Sequence, residues 1–415
     1  MKILHISYSD LRGGASIAAF EIHKSLLSLG LNSSMLVQKK FSDCDLVYST
    51  KSLLENIIAD VKISINRKIV NFLKTDNKTS YSLALFSSTI IKKIKEINPD
   101  IIHLHWINNE ILSLKGIYEL GKNYKIIWTL HDMWPFCGSE HYTDSLRFIL
   151  GYKSNNRPNH EKGLDINRWT WDRKVKYLGN KIHFISPSKW MFLQIRKSFL
   201  FKNNESYQIS YPINHKIWFP FEKLYSRNFL SIPLDTNVVL FGSERGNGIE
   251  RKGFSILYES LSKIDLKKMT RIIVFGGKAE NEIRRINENL EIQFVGHIYD
   301  KLLLRVYYSA SDICALPSTQ EAFGLICAEA SACCLPCIAF NNTGHSDIIL
   351  HKKSGYLADY KDIVDFKNGL EWLLDDDKRL KEIGINAREN IIKNFDNQKI
   401  ALEHKKVYEN LLKNN

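Results

Sequence analysis

Twice along this 415-residue chain, short β-branched runs alternate with longer stretches whose apolar residues recur every three or four positions. That alternation is the mark of parallel strands joined by crossover helices. The first series holds KILHISY, SSMLVQ, DIIHLHW, KIIWTL and KIHFISPS, with a helix expected from Ser16 to Leu29. The second holds NVVLFGS, RIIVFGG, EIQFVGH, SDICALPS and PCIAF, with helices expected at Phe254 to Lys263, Lys301 to Ser309 and Gly324 to Ala332. Between them lies YPINHKIWFPFEKL, rich in turn residues and without periodicity, which reads as a linker. The length exceeds one ordinary core. The expectation is an α/β protein of two Rossmann-like, doubly wound domains, 1–208 and 209–394, with a last helix from Asn397 to Leu412.

Composition narrows the class. Hydrophobic residues make up 44% and charged residues 25%, the balance of a soluble globular protein. The opening MKILHISYSDLRGG is too short in apolar residues for a secretory leader and reads as a first strand. No stretch approaches the roughly 18 uncharged apolar residues of a spanning helix, so a cytoplasmic location with peripheral membrane contact is expected. Cys333, Cys334 and Cys337 lie in the apolar run SACCLPCIAF without a second ligand pair, and read as small buried hydrophobes.

The formal charge of +13 is uneven. Arg147 to Lys202 carries 13 Lys and Arg against 3 Asp and Glu, and Lys51 to Asn98 carries 9 against 4. The excesses of 10 and 5 leave the rest of the chain at 13 − 15 = −2. A basic first half points to an anionic partner there, where nucleic acid fits and a phosphorylated lipid or a membrane surface fits as well. An amphipathic helix is also expected, with apolar Leu54, Ile58, Val61, Ile65 and Ile69 and charged Lys51, Glu55, Asp60, Arg67 and Lys68. Its apolar face is expected to cover the domain, with lying on lipid as the alternative.

The most specific segment is PSTQEAFGLICAEASACCLPCIAFNNTG. A strand ends at Pro317, a loop carries Glu321, and a helix from about Gly324 carries Glu329. Eight steps of helical rise give a separation of roughly 12 Å, too wide for an acid and base pair of the glycosidase kind. It suits the two ends of a nucleotide sugar, with the amides of Gly324, Leu325 and Ile326 toward a diphosphate between them. Gly13 and Gly14 follow the first strand and open a helix, although the full dinucleotide fingerprint is missing. Arg251 and Lys252 open a helix early in the second series, where they read by themselves as solvated surface residues or as cations that can neutralise a departing diphosphate. WTLHDMWPFCGSEHY places His131 and Asp132 at the C-terminal end of a strand, where open sheets bind ligands. A metal set from His131, Asp132, Glu140 and His141 lacks helical spacing, and Asp375 to Asp377 read as a helix cap.

These motifs, in order, resemble glycosyltransferase family 4: the Gly13 and Gly14 turn, HD at 131–132, RKGF at 251–254, the Glu321 and Glu329 run, and SGYL from Ser354. The resemblance covers nearly the whole chain. It implies the GT-B architecture, two domains facing across a cleft, with an acceptor-binding first domain, a donor-binding second domain and a closing helix, 395–415, that returns to the first. It further implies Glu321 on the donor sugar, Glu329 on the ribose, His131 at the reaction centre, and Gly13, Gly14, Arg251, Lys252, Phe323, Gly324 and Leu325 at the donor. Arg245 competes with Arg251 for the diphosphate. The implied reaction is retaining transfer, without a metal or other cofactor, from a nucleotide diphosphate sugar to a lipid-linked or oligosaccharide acceptor in bacterial surface polysaccharide synthesis. Cys334 in place of a Gly, and the single Gly344 with Asp347 in NNTGHSD, depart from the pattern and bear on sugar identity. A silent sugar-nucleotide-binding subunit of the same fold is the alternative, and a nucleic-acid binder is not expected.

Overall fold

The computed structural model describes residues 1–49, 53–179, 182–243, 248–280 and 282–413. The chain forms two compact units, Met1–Pro212 with Gln398–Asn415, and Ile213–Asn397. The first boundary falls after residue 208 for a local reason. Ile209 donates its amide to the Ser186 carbonyl, and the Tyr211 hydroxyl bonds His131, so this stretch stays with the first unit.

The first unit is built on a parallel sheet of seven strands: β1 (Lys2–Ser9), β2 (Asn32–Lys39), β3 (Val47–Ser49), β4 (Ile101–Leu104), β5 (Lys125–Thr129), β6 (Ile182–Ser186) and β7 (Ser206–Gln208), in the order β3-β2-β1-β4-β5-β6-β7. Strands buried on both faces read as continuous apolar runs, and Ile3, Leu4, Ile6, Ile101, Ile102 and Leu104 are fully buried. Polar residues interrupt one face. His5 of β1 pairs in register with His103 of β4, and the C-terminal helix α3 (Asn397–Lys413) buries His404, Val407, Tyr408 and Leu411. The Tyr408 hydroxyl and His103 Nδ1 are 2.7 Å apart, so this helix packs on the first unit.

The helix at Leu53–Val70, here α2, corrects the expectation for its apolar stripe. Ile57, Ile58, Val61 and Ile65 are 54%, 51%, 53% and 39% exposed. Much of the helix's inward contact is polar: buried Asn66 donates to Glu110 Oε1 at 2.7 Å, and Lys62 to the Ser87 carbonyl at 2.9 Å. Ile69, one of the last residues of the helix, packs on a small cluster of Leu73, Leu83 and Ile166. Lys51 and the side chains of Leu54 and Glu55 lie outside the described residues. Part of the basic excess is also internal. Arg147 is buried on Glu161 at 3.0 Å and Asp165 at 2.7 Å, and Lys174 is buried among backbone carbonyls.

The second unit carries β8 (Asn237–Gly242), β9 (Thr270–Phe275), β10 (Arg284–Asn287), β11 (Leu290–Gly296), β12 (Ile313–Leu316), β13 (Cys337–Phe340) and β14 (Gly355–Ala358), in the order β10-β11-β9-β8-β12-β13-β14. All pairings are parallel except the β10-β11 hairpin. Val239, Phe241, Ile272, Val274, Ile338 and Phe340 form its core. Cys314, Cys327, Cys333 and Cys337 are buried free thiols. Asp376 accepts from the amides of Lys378 and Arg379 and so caps the helix Asp377–Asn394. Among the described residues no helix is long and apolar enough to cross a membrane.

Candidate functional site

In the second unit, a tight turn at Glu250–Lys252 ends on Gly253, whose φ of 76° opens the helix Phe254–Ser262, here α4. A Cβ on Gly253 would lie 2.1 Å from the Pro317 carbonyl oxygen, so the turn and the strand end approach closely only because this residue is glycine. The contact is fixed by hydrogen bonds from the Thr319 amide to the Arg251 carbonyl, and from Arg251 Nη1 to the Gln320 carbonyl, both 2.9 Å. Lys252 Nζ then forms an ion pair with Glu321 Oε2. Burial alone would push the Glu321 carboxyl up, but Lys252, Arg251 and His345 hold it down at about 2. A charged carboxylate is therefore kept in a water-poor loop by the adjacent cations Arg251 and Lys252, brought up from another chain segment.

Residues 321–324 precede the helix α5 (Leu325–Ala332), which starts at Gly324 with φ 105°. A Cβ on Gly324 would meet His345 Cδ2 at 2.4 Å. Gly344 donates its amide to the Glu321 carbonyl at 2.9 Å. Phe323 is buried with its ring edge-on to Phe395, centroids 5.8 Å apart, so its side chain braces the loop. Glu329, on α5, is buried and accepts from the Tyr308 hydroxyl at 3.0 Å. Burial, then the Glu329 charge, raise the Tyr308 phenol well above its ordinary value, so that hydroxyl stays a donor. His345 and Tyr308 were not picked out from the sequence. NNTGHSD drew attention through Gly344 and Asp347, and Tyr308 lies 21 residues from its partner. Arg245 lies outside the described residues.

In the first unit, Gly13 takes φ 85° and ψ 145° at the start of α1 (Gly14–Ser28), a conformation that excludes most side chains. His131 follows β5, and both its ring nitrogens are engaged: Nε2 with His105 Nδ1 at 3.0 Å and Nδ1 with the Tyr211 hydroxyl at 2.6 Å. Burial lowers its pKa to about 4 against the opposing charge of Asp132. Asp132 accepts from His141 Nδ1 at 2.6 Å, Trp106 Nε1 at 3.0 Å and the Trp134 amide at 3.0 Å. His141 Nε2 in turn shares a 2.9 Å bond with Ser82 Oγ. Lys174 holds the loop between them by donating to the carbonyls of Trp134, Cys137 and Gly138. Glu140 turns away to the Tyr152 hydroxyl, so of the four residues weighed as a metal set only Asp132 and His141 are bonded to each other. Among the described residues, the imidazoles of His5, His103 and His105 do offer nitrogens within 4.8 Å of one another.

The family described as glycosyl transferases group 1 matches residues 226–390, and the glycosyl transferase 4-like family matches residues 34–157. N-acetyl-alpha-D-glucosaminyl L-malate synthase of Bacillus anthracis is 24% identical over 349 residues, 80% of each chain. The capsular polysaccharide biosynthesis glycosyltransferase CapM of Staphylococcus aureus is 26% identical over 175 residues, 40% of this chain and 45% of that one. Anabaena HepE, solved in complex with UDP and glucose, superposes with a TM-score of 0.63 at 14% identity over 99% of both chains. The chain has the GT-B fold, and through the models that match residues 226–390 and 34–157 it is related to the group 1 and 4-like glycosyl transferase families.

Proposed function

We propose that the chain is a retaining hexosyltransferase that moves a sugar from a nucleotide diphosphate sugar to a lipid-linked or polysaccharide acceptor in bacterial surface polysaccharide synthesis. The observation that carries this reading is the Lys252 and Glu321 ion pair, backed by Arg251 and placed just ahead of the α5 start. Such a cluster offers a carboxylate for sugar hydroxyls and cations for a diphosphate whose charge grows as it leaves. Glu329 takes the ribose, and the amides of Gly324 and Leu325 the phosphates. The bond between the anomeric carbon and the diphosphate oxygen breaks while the acceptor oxygen attacks from the same face. The departing phosphate oxygen receives the acceptor proton. With Arg251 and Lys252 countering the diphosphate, the reaction needs no metal in this account.

The names of two relatives support the substrate classes: CapM for capsular polysaccharide and HepE for UDP with glucose. The first unit is read as the acceptor side, resting from the cytoplasm on anionic lipid through the exposed α2 stripe and its flanking Arg67 and Lys68. Two experiments test these readings. A thermal-shift screen against UDP, GDP and their sugars should show stabilisation, because a ligand at 100 times its dissociation constant adds roughly 2.7 kcal/mol; a flat screen with no turnover contradicts donor use. Sedimentation with anionic vesicles should fall for Ile58→Asp and Val61→Asp, and binding indifferent to both changes and to lipid charge contradicts membrane docking.

A further inference from the structure

Six histidines cluster in the first unit: His5 on β1, His23 on α1, His103 and His105 at β4, His131 after β5, and His404 on α3. A continuous chain runs through three of them. His5 Nδ1 meets His105 Nε2 at 2.9 Å, His105 Nδ1 meets His131 Nε2 at 3.0 Å, and His131 Nδ1 meets the Tyr211 hydroxyl at 2.6 Å. The far end is closed. His5 Nε2 is buried without a hydrogen-bond partner, so protons do not leave the chain there.

Each link needs one donor and one acceptor, and a neutral imidazole supplies one of each. The chain can therefore point in two directions. If protons pointed toward His5, its Nε2–H would be a buried donor with nothing to accept it. If they point toward Tyr211, His5 ends on a bare lone pair, and orphaned buried N–H groups are the rarer case. The second direction places a proton on His131 Nδ1, donated to Tyr211, and leaves Nε2 accepting from His105. Charging His131 would force an N–H against the His105 Nδ1–H. Burial disfavours a positive charge on the His131 ring; the neighbouring His5, His103, His105, His23 and His404 are themselves held neutral by burial, and Asp132, which would favour the charge, is already paired with His141. The Tyr142 hydroxyl touches the His131 carbonyl, and Tyr408 holds His103.

We infer that His105, backed by His5, and Tyr211 are positioning residues that lock His131 as a neutral Nδ1–H imidazole committed at both nitrogens, so that His131 contributes fixed geometry and not a proton to the transfer. The placement of His131 at the reacting centre rests on the function proposed above; the locked tautomer does not. A metal on His5, His103 and His105 is the competing use of this cluster. Five of their six nitrogens are already in hydrogen bonds to one another, to His131, to Thr129 and to Tyr408, and an ion would have to break them.

The test uses the full chain with labelled histidine. Its 13 rings are read by nitrogen NMR, with His131 assigned by the shift that Tyr211→Phe causes. The expected result is a neutral His131 with its proton on Nδ1, unchanged from about pH 8 to about pH 5.5, where an ordinary histidine titrates. A midpoint between about 6 and 7, or a proton on Nε2, overturns the inference. So does stoichiometric metal in the purified protein that disappears in His103→Gln. This arm needs no turnover, so it stands or falls apart from the proposed reaction. Where turnover is measured, Tyr211→Phe and His105→Leu should lower kcat by roughly 10- to 100-fold with donor KM little changed. His105→Gln, which keeps an N–H donor, should recover most of the loss. Equal losses in His105→Leu and His105→Gln, or an acid limb in the wild-type kcat profile near pH 6.5, contradict the positioning role.

Discussion

The two units hold their polar residues by opposite means. Around Glu321 the second unit keeps a full negative charge in a largely buried loop by setting Lys252 and Arg251 against it, with His345 behind. Around His131 the first unit keeps its linked imidazoles neutral, closing imidazole onto imidazole and tyrosine, and sets the one carboxylate beside them, Asp132, against His141. A buried charge is tolerable when paired and hydrogen-bonded, and a buried titratable group is otherwise driven to its neutral form. The difference assigns tasks. The charged region suits a ligand whose charge changes during reaction, and the neutral region suits a wall that must not change at all.

The sharpest way to break this contrast is Glu321→Gln. If the carboxylate faces charge developing at the anomeric carbon, turnover should fall by roughly 10²- to 10³-fold, about 3 to 4 kcal/mol in the barrier, with the fold intact by circular dichroism. A loss below about threefold would remove Glu321 from the chemistry.

Next in size is Lys252→Met, read through pH. The Glu321 pKa is about 2 in the folded protein against roughly 4.3 unfolded. A carboxylate with a depressed folded pKa adds stability above its unfolded value and loses it as pH falls through the folded one. The pair should therefore contribute roughly 2 to 3 kcal/mol at pH 7, vanishing between about pH 4.3 and 2. The Tm gap between parent and variant should narrow across that window in thermal melts. A constant gap would mean that Lys252 acts through packing alone.

Smaller effects are expected at the other end of the donor. Tyr308→Phe leaves Glu329 in place but removes a hydroxyl that orients it, and should weaken nucleotide binding by about 0.5 to 1.5 kcal/mol by calorimetry. Unchanged affinity would confine Tyr308 to packing. The smallest is on the surface. Ile65→Ser on the exposed α2 stripe should leave the unfolding free energy within about 0.5 kcal/mol of the parent in denaturant melts, and a large loss would show that the stripe is covered in solution.

Legibility in the sequence followed contiguity. The second unit's candidate site was readable because Glu321, Gly324 and Glu329 fall within nine residues, and Arg251 and Lys252 are adjacent. The alternating runs likewise gave both sheets and most helix positions. The imidazole chain was not readable, since β1, β4, β5 and the segment after β7 each supply one group from positions as distant as 5 and 211. The α2 stripe misled for a related reason. Periodicity marks an apolar face but not the side on which it lies, and here the inward side is decided by Asn66 and Lys62 finding polar partners.

In the proposed reaction the second unit binds a nucleotide sugar, with Glu321 on the sugar and Glu329 on the ribose. Inhibition constants for the free nucleoside diphosphate, measured on Glu321→Gln and Glu329→Gln, test it most directly, because that ligand retains the ribose and lacks the sugar. The expected result is an inhibition constant near the parent value for Glu321→Gln, and one raised roughly 5- to 150-fold, about 1 to 3 kcal/mol, for Glu329→Gln. The reverse pattern, with affinity lost in Glu321→Gln and kept in Glu329→Gln, would contradict it.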